Sequence, residues 1–328
     1  MSIESDYSNV WIFQANPDRF DLDGYLGQGP DEILFLVNQS YNRMALGDQV
    51  YIWRAAGRQK AVSGIVAEAR IVELPRERSD LGAAKPFWFD SSEADVLRRR
   101  ALLRVVRVAS SRTMVKRDWL VDDPIMNDLS VIRFSNATNF AVDPEHRERL
   151  SDLWRVTGQD WDYADAVAGL WAYNKTYGGP LSKGFDSTVA EVALRIGRAV
   201  TGVYNKVLNF RALDPRDTRA GLPAGGEATE AVWARFYLQG EQRVDVGALE
   251  AEFAWLWGSP ATTGSPSEAG QEIVAGEAEV SRLTRMSLEE LLAKLHARVS
   301  ARAGNRTPKS HAALTRIFER DPLLVAIV

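Results

Sequence analysis

The chain has 328 residues, of which 45% are hydrophobic and 26% charged, and its formal net charge is −4. The length predicts two or three globular domains, and the charge excludes a uniformly basic nucleic-acid binder while leaving a local basic face open. The absence of cysteine, with only His146, His296 and His311 as imidazoles, excludes disulfides and zinc–thiolate centres and leaves no metal-ligand spacing.

The first part of the chain, residues 1–158, is rich in predicted strands. Short apolar runs separated by turn signals lie at residues 10–15, 32–38, 49–54, 61–74 and 102–108. Such runs predict a small barrel or a curled sheet. Residues 143–158 predict a closing helix, because an Asp-Pro pair begins the segment and a glycine ends it.

Residues 159–257 have the apolar spacing of helices. Residues 187–210 predict two short helices joined at Gly197, which is the shape of a helix-turn-helix. In that arrangement one face of the second helix points outward, namely Arg198, Thr201, Asn205, Lys206 and Asn209. An ordinary three-helix bundle explains the same pattern.

The last part of the chain divides into two predicted segments. Residues 258–281 are small and polar, which predicts a flexible linker. Residues 282–328 are predicted to be helical, and they stop on an apolar run without a polar cap. Because chain ends are ordinarily polar and frayed, this ending predicts that the chain is part of a longer protein.

Several sequence blocks in the first part resemble an EVE domain, a member of the PUA-like barrel superfamily. The blocks are residues 11–17, 37–39, 46–54, 64–66 and 136–140, in the family's order. They extend over roughly residues 8–158. Relatives often carry an aromatic residue where this chain has Leu36, with Phe35 beside it.

The rest of the chain resembles parts of nuclease proteins. Residues 187–215 and 221–222 are similar to a helical module found before HNH nuclease domains, and residues 311–328 are similar to the lead-in to such a domain. As a whole the chain resembles an EVE–HNH modification-dependent restriction endonuclease whose nuclease domain would lie beyond Val328.

This resemblance implies an α+β fold, in which an N-terminal PUA-like/EVE β-barrel with flanking helices precedes an all-α helix-turn-helix-like module and C-terminal linker helices. It implies four segments, at residues 1–158, 159–257, 258–281 and 282–328. It also implies a cytoplasmic location in a prokaryotic cell and a possible homodimer. No cofactor is expected in this chain, and a divalent metal is expected only in the nuclease domain.

EVE and related domains bind a modified base that is flipped out of the duplex, which requires a narrow pocket with aromatic walls and a few polar groups. Stacking on an aromatic plane returns about 1–3 kcal/mol per base. The candidate walls are Trp11, Phe35, Trp53 and Trp88, and the candidate readers of the base edge are Asn16, Asn38 and Gln39. For each tryptophan, a place in the barrel core is the alternative.

Residues 98–117 contain eight basic residues and no acidic one. A rim that contacts DNA phosphates would explain this excess, and a solvated strand edge is the alternative. The candidate rim residues are Arg54, Arg58, Lys60, Arg98, Arg99, Arg100, Arg112, Lys116 and Arg117. Arg198, Thr201, Asn205 and Lys206 are the candidates for DNA contact from the helical module.

These observations, together with the resemblance, predict the recognition part of a modification-dependent, type IV-like restriction endonuclease. Its partner would be double-stranded DNA carrying a modified base, 5-methyl- or 5-hydroxymethylcytosine, with no membrane involved. No catalytic or metal-binding residue is predicted in the chain. Two alternatives stay open: a non-nuclease reader of modified RNA, and a reader of another DNA mark, such as phosphorothioate, through the helical module.

Overall fold

The computed structural model describes residues 9–58, 63–134, 137–223 and 225–258. Lys60, Asn136, most of the predicted linker and all of the predicted C-terminal helices lie outside these ranges. Among the helices in these ranges, none is long and apolar enough to cross a membrane.

The strands of the first part form one seven-stranded sheet. Six of them follow the order β2-β5-β4-β3-β1-β7, and β6 pairs with β4. β1 and β3 are parallel, and the other pairs are antiparallel. The strands are β1 (Val10–Ala15), β2 (Glu32–Leu36), β3 (Gln49–Arg54), β4 (Gly64–Arg78), β5 (Arg98–Val108), β6 (Val115–Lys116) and β7 (Asn139–Ala141).

Short helices connect these strands, and longer helices follow them. Those of the first part are α1 (Leu22–Gly27), α2 (Ser92–Asp95), α3 (Arg117–Val121), α4 (Ser130–Arg133) and α5 (Pro144–Val156). Those of the second part are α6 (Tyr163–Thr176), α7 (Thr188–Ile196), α8 (Val200–Leu213), α9 (Glu227–Phe236) and α10 (Val246–Trp257), with a short hairpin of β8 (Tyr237–Leu238) and β9 (Arg243–Val244) before α10. The predicted closing helix is confirmed as α5.

The sheet does not close into the barrel that the sequence predicted. The strand pairs found among the described residues leave β2 and β7 at opposite ends of the ladder. The Asn139 side chain joins these ends instead, since its Oδ1 accepts from the Asn38 backbone N–H and its Nδ2 donates to the Leu36 carbonyl, both at 2.9 Å. One primary amide carries a donor and an acceptor, so it replaces a rung of backbone pairing.

The sheet has an apolar core on each face, because successive side chains of a strand point to opposite sides. Phe13 and Phe35 pack on one face, with ring centroids 5.6 Å apart, together with residues of α1. Ile12 and Trp53 pack on the other face, against Trp154 and other residues of α5. The sheet is therefore sandwiched between loop-and-helix layers.

Gly64 shows why β4 needs a glycine where it begins. Its φ is +148°, and a Cβ at this position would lie 2.1 Å from the Val115 carbonyl oxygen. Only a residue without a side chain lets β6 approach this closely.

The second part has its own core around α6. Every residue from 165 to 173 is buried, and α6 contacts α7, α8, α9 and α10. α7 and α8 are separated at Gly197, which adopts a left-handed conformation with φ of +75°. This confirms two helices joined at that glycine, as the sequence predicted.

Candidate nucleic-acid interface

A cavity of about 260 Å³ opens where β1 ends and the two edges of the sheet come together. Its walls come from the ends of β1 and β2, from α1, and from the loop that follows β4. The segment immediately before β7 completes it. Because these segments are far apart in the sequence, the curl of the sheet creates the cavity.

Aromatic rings form one wall of this cavity. Phe20 lies 5.1 Å from Trp88 and 5.5 Å from Tyr25 between ring centroids. Backbone hydrogen bonds hold the two loops together, from the Asp21 N–H to the Phe87 carbonyl at 2.8 Å and from the Phe89 N–H to the Arg19 carbonyl at 3.1 Å. The loop after β4 therefore presents Trp88 to the cavity at a fixed place.

Asp80 and Arg100 bring charge to the same cavity. Asp80 accepts from the Trp88 indole N–H at 2.8 Å and from the Leu81 backbone N–H at 2.9 Å. Burial raises the pKa of Asp80 above its usual value, since desolvation outweighs these hydrogen bonds. The Arg100 side chain is buried, and it donates to the carbonyls of Arg78 and Val96 at 2.5 and 3.0 Å.

Three of the predicted pocket residues line the cavity, namely Asn16, Phe35 and Trp88. Two more lie beside it on the Asn139 bridge. The Asn38 side chain is exposed, and the Gln39 amide donates to the Asn139 carbonyl at 3.0 Å. Three of the seven candidate base-pocket residues therefore share one cavity, and their role in binding a base stays a prediction.

Trp11 and Trp53, in contrast, lie in the core rather than on the cavity wall. Trp11 is 1% exposed, and its indole N–H donates to Asp48 at 2.8 Å. Trp53 is 2% exposed and packs on the face of the sheet that α5 covers. Successive side chains of a strand point to opposite faces of the sheet, and both rings lie on faces that a core covers. The sequence pattern did not show which positions these are.

Several lining residues were not predicted from the sequence. Phe20 and Tyr25 follow the Asn16-Pro17 turn in the sequence. Two aromatic residues so close to a predicted pocket residue were the feature that could have identified them. No sequence feature distinguished Asp80 as a lining residue, because an isolated aspartate in a loop is ordinarily a turn residue. The lining residues that sequence analysis missed include Gln14, Phe20, Tyr25, Asp80 and Thr138, and Arg100 was predicted for the phosphate-contacting rim instead.

Three residues of the predicted basic rim are exposed or half-buried. Arg58 is exposed, and its backbone N–H donates to Asp18 at 3.3 Å, beside the turn that carries Asn16. Lys116 of β6 is separated from Ala15 of β1 by three strand-to-strand steps across the sheet, through β3 and β4. This is about 14 Å at the usual strand spacing. The Arg112 side chain is also exposed.

The other rim candidates are engaged within the protein. Arg54 is 7% exposed and pairs with Asp23 at 2.7 Å. Arg98 pairs with Glu93 at 2.6 Å, and the exposed Arg117 lies 3.8 Å from Asp118. The guanidinium of Arg99 lies 3.8 Å from the centre of the Tyr41 ring, and Arg100 lines the cavity. Consecutive arginines thus have different partners, because alternate strand positions face different surroundings.

The side of α8 that was expected to face DNA is largely internal. Arg198 pairs with Asp165 at 2.6 Å and donates to the carbonyls of Gln159 and Asp160. Lys206 donates to the Gly225 carbonyl and the Thr229 hydroxyl, and burial lowers its pKa to about 8.

The remaining α8 positions are mixed. Asn209 is 8% exposed and donates to the Leu222 carbonyl, and the Thr201 hydroxyl donates to Asp122 at 3.1 Å. Asn205 is exposed. The prediction that this face points outward is therefore wrong for Arg198, Lys206 and Asn209, because loops and α6 cover it.

The carboxylate pairs of the sequence have structural partners. Asp21 caps α1 by accepting from the Gly24 N–H, and Asp23 pairs with Arg54. Asp123 is buried against Arg149, and Asp122 accepts from Lys183. In the part of the chain that the structure describes, no three metal-ligating side chains come together.

No curated protein matches the chain significantly. Among solved structures, human THYN1 protein in complex with 5-methylcytosine containing DNA is 13% identical, with a TM-score of 0.32, and the match covers 47% of this chain and 100% of that one. Protein Atu2648 from Agrobacterium tumefaciens is 14% identical, with a TM-score of 0.32 and coverage of 46% and 94%. Protein PSPTO5229 from Pseudomonas syringae is 16% identical, with a TM-score of 0.31 and coverage of 43% and 97%.

One family model matches the sheet-bearing part of the chain. It is that of the EVE domain, and the match extends over residues 9–153. These residues include all seven strands of the sheet and every residue that lines the cavity. Residues 9–153 are therefore similar to an EVE domain.

Proposed function

We propose that residues 9–153 bind duplex DNA and hold one modified base, taken out of the stack, in the cavity beside Trp88. The observation that carries this proposal is an aromatic-walled cavity of about 260 Å³, with the exposed Arg58 bonded to Asp18 beside the turn that carries the lining residue Asn16. Unstacking and unpairing a base costs a few kcal/mol. Stacking on the Phe20 and Trp88 wall offsets this cost by about 1–3 kcal/mol.

The base that we propose is a 5-substituted cytosine. Ile33, Leu34 and Phe35 contribute apolar side chains to the lining of the cavity. A buried methyl group adds roughly 0.8 kcal/mol there. The resemblance to EVE domains implies the same class of ligand.

Arg58, Arg112 and Lys116 are the proposed phosphate contacts. They are exposed or half-buried, and none of them forms an ion pair with another described residue. Each phosphate contact releases counterions, so the affinity should fall steeply with salt. Arg54, Arg98, Arg198 and Lys206 are not included, because their side chains are held inside the protein or by carboxylates.

We further propose that the protein is the recognition part of a modification-dependent restriction endonuclease. The helical part would hold the duplex, and an HNH domain acting with divalent metal would cut it, in a homodimer that reaches both strands. The resemblance of residues 187–215 and 311–328 to HNH-associated segments supports this proposal. Its test is the reading frame after Val328: a Cys-x-x-Cys motif and an HNH signature support the nuclease, and an immediate stop codon contradicts it.

The test of the base-reading proposal is binding of the 328-residue chain to matched duplexes. These carry cytosine, 5-methylcytosine, 5-hydroxymethylcytosine or N6-methyladenine at one position, at about 0.15 M salt. We expect a preference of roughly tenfold or more for one of the cytosine modifications. Equal binding to all four duplexes contradicts base reading. RNAs of the same sequences are tested in parallel, and binding only to these RNAs favours an RNA reader.

A salt titration tests the proposed phosphate contacts. Replacing Arg58 and Lys116 with glutamine should weaken binding to every duplex and reduce the slope of log affinity against log salt by about 0.9 for each phosphate that is no longer neutralised. Arg243→Gln is the matched control, because that exposed arginine belongs to the hairpin of the second part. An unchanged slope in the double variant would place Arg58 and Lys116 away from DNA.

A further inference from the structure

Asp80 differs from the other residues that line the cavity. Among the described residues of the cavity wall, it is the one carboxylate. Its two hydrogen bonds come from neutral donors of its own loop, the Trp88 indole and the Leu81 N–H. A carboxylate has about four acceptor sites, so this group keeps acceptor capacity inside a partly buried cavity.

No cation of the described residues forms an ion pair with Asp80. Arg100 exerts some attraction, but its donors go to the carbonyls of Glu93, Val96 and Arg78. Burying a carboxylate without an ionic partner is costly unless hydrogen bonds satisfy it. A ligand that brings an N–H donor would lower this cost.

The nucleobases differ in what they bring to such an acceptor. Cytosine and adenine carry an exocyclic amine, and aspartate or glutamate is the side chain that accepts from the cytosine amine. Thymine and uracil carry a carbonyl oxygen at the equivalent atom. A carbonyl facing Asp80 would place two acceptors against each other and leave both unsatisfied, which disfavours these bases.

We propose that Asp80 accepts a hydrogen bond from the exocyclic amine of the bound base, so that the cavity takes cytosines and rejects thymine and other 5-substituted uracils. This inference rests on the proposed base-reading function. It also explains how the site distinguishes 5-methylcytosine from thymine, since both bases carry the same 5-methyl group and only the group at the 4-position and the ring protonation differ.

The experiment compares one duplex sequence with 5-methylcytosine or thymine at the same position, with guanine opposite in both and adenine opposite thymine in a third. The wild-type chain should bind the 5-methylcytosine duplex at least about tenfold more tightly than either thymine duplex. Asp80→Asn should reduce this ratio to about threefold or less. Asp95→Asn is the matched control: it removes the same charge from the same loop, outside the cavity, and should keep the ratio.

A base analogue provides a test that needs no variant. 5-Methylpyrimidin-2-one is 5-methylcytosine without its amine, and the wild-type chain should bind a duplex that carries it at least about tenfold more weakly. Equal affinity for the two duplexes overturns the inference, whether or not Asp80→Asn folds. So does full retention of the ratio in a folded Asp80→Asn protein.

The outcomes separate the two proposals. A chain that prefers 5-methylcytosine to cytosine but binds thymine equally well reads a modified base without using Asp80 in this way. That result overturns only the present inference. A chain that binds all duplexes alike overturns both.

Discussion

Trp53 and Trp88 have the same side chain and different surroundings. Trp53 lies on β3 between the sheet and α5, where it is 2% exposed. Trp88 follows a short turn, lines the cavity and donates its indole N–H to Asp80. At the scale of the residue, the role of an aromatic ring depends on the layer that covers it.

Alanine substitution should separate these two tryptophans. Trp53→Ala should lower the free energy of unfolding by about 3–5 kcal/mol, because it leaves a cavity in a closed core. Trp88→Ala should cost less stability, about 2 kcal/mol or below, since its ring faces an existing cavity. It should nevertheless abolish the preference for modified DNA.

Urea unfolding and duplex binding of both variants measure this difference. A stability loss for Trp88→Ala as large as that for Trp53→Ala would mean that Trp88 is a core residue. Retained preference for modified DNA in a folded Trp88→Ala protein would remove this ring from the base site.

At the scale of the element, a side chain completes the sheet. β2 and β7 share no backbone ladder in the described residues, and the Asn139 amide bonds the backbone of residues 36 and 38 instead. Thr138 and Gln39 bond to Asn139 from either side. Since Ala137 and Thr138 line the cavity, this bridge also holds the cavity in shape.

Asn139→Ala should lower the free energy of unfolding by about 2 kcal/mol, because it breaks three side-chain hydrogen bonds and leaves two part-buried backbone groups without this partner. Asn38→Ala is the matched control. Its side chain is exposed while its backbone N–H keeps the bond to Asn139, so it should change stability by less than about 0.5 kcal/mol. Equal effects in denaturant unfolding would contradict a bridging role for Asn139.

At the scale of the whole molecule, buried arginines connect the sheet-bearing part with the helical part. Arg149 of α5 binds Asp123 at 2.5 Å and also the Arg198 carbonyl at 2.7 Å. Arg198 in turn pairs with Asp165 at the start of α6. Asp122, which is only partly buried, accepts further hydrogen bonds from Lys183 and Thr201. The two parts are thus joined by charged hydrogen bonds rather than by one continuous apolar core.

Arg198→Met should lower the free energy of unfolding by about 3–5 kcal/mol, since it leaves Asp165 buried without its ionic partner. Burial already raises the pKa of Asp165 to about 6. Adding Asp165→Leu should restore a large part of the loss, because an apolar pair of similar volume needs no compensating charge.

Denaturant unfolding of the single and double variants tests this, with DNA binding measured in parallel. If Arg198→Met weakens DNA binding and leaves stability unchanged, Arg198 contacts DNA, as the sequence had predicted. Asn205→Ala, in the adjoining helix α8, is the control, because that side chain is exposed.

The sequence by itself predicted the longer elements of this protein and the similarity of its first part to an EVE domain. Turn residues and apolar periodicity act over a few positions, so β1 to β5, α5, α6 and the division between α7 and α8 at Gly197 could be predicted locally. The resemblance to EVE domains likewise depends on short blocks. Asn16, Phe35 and Trp88 were named as pocket residues on that basis, and all three line the cavity.

Only the tertiary structure decided the open sheet, the cavity and the partners of the charged residues. Trp11 and Trp53 point into the core, Arg54 pairs with Asp23, and Arg198 pairs with Asp165. The partners in each of these ion pairs lie about thirty positions apart. Burial and ion pairing depend on such long-range neighbours, and local patterns carry no information about them, which is why Asp80 could be recognised only once the sheet had brought the cavity walls together.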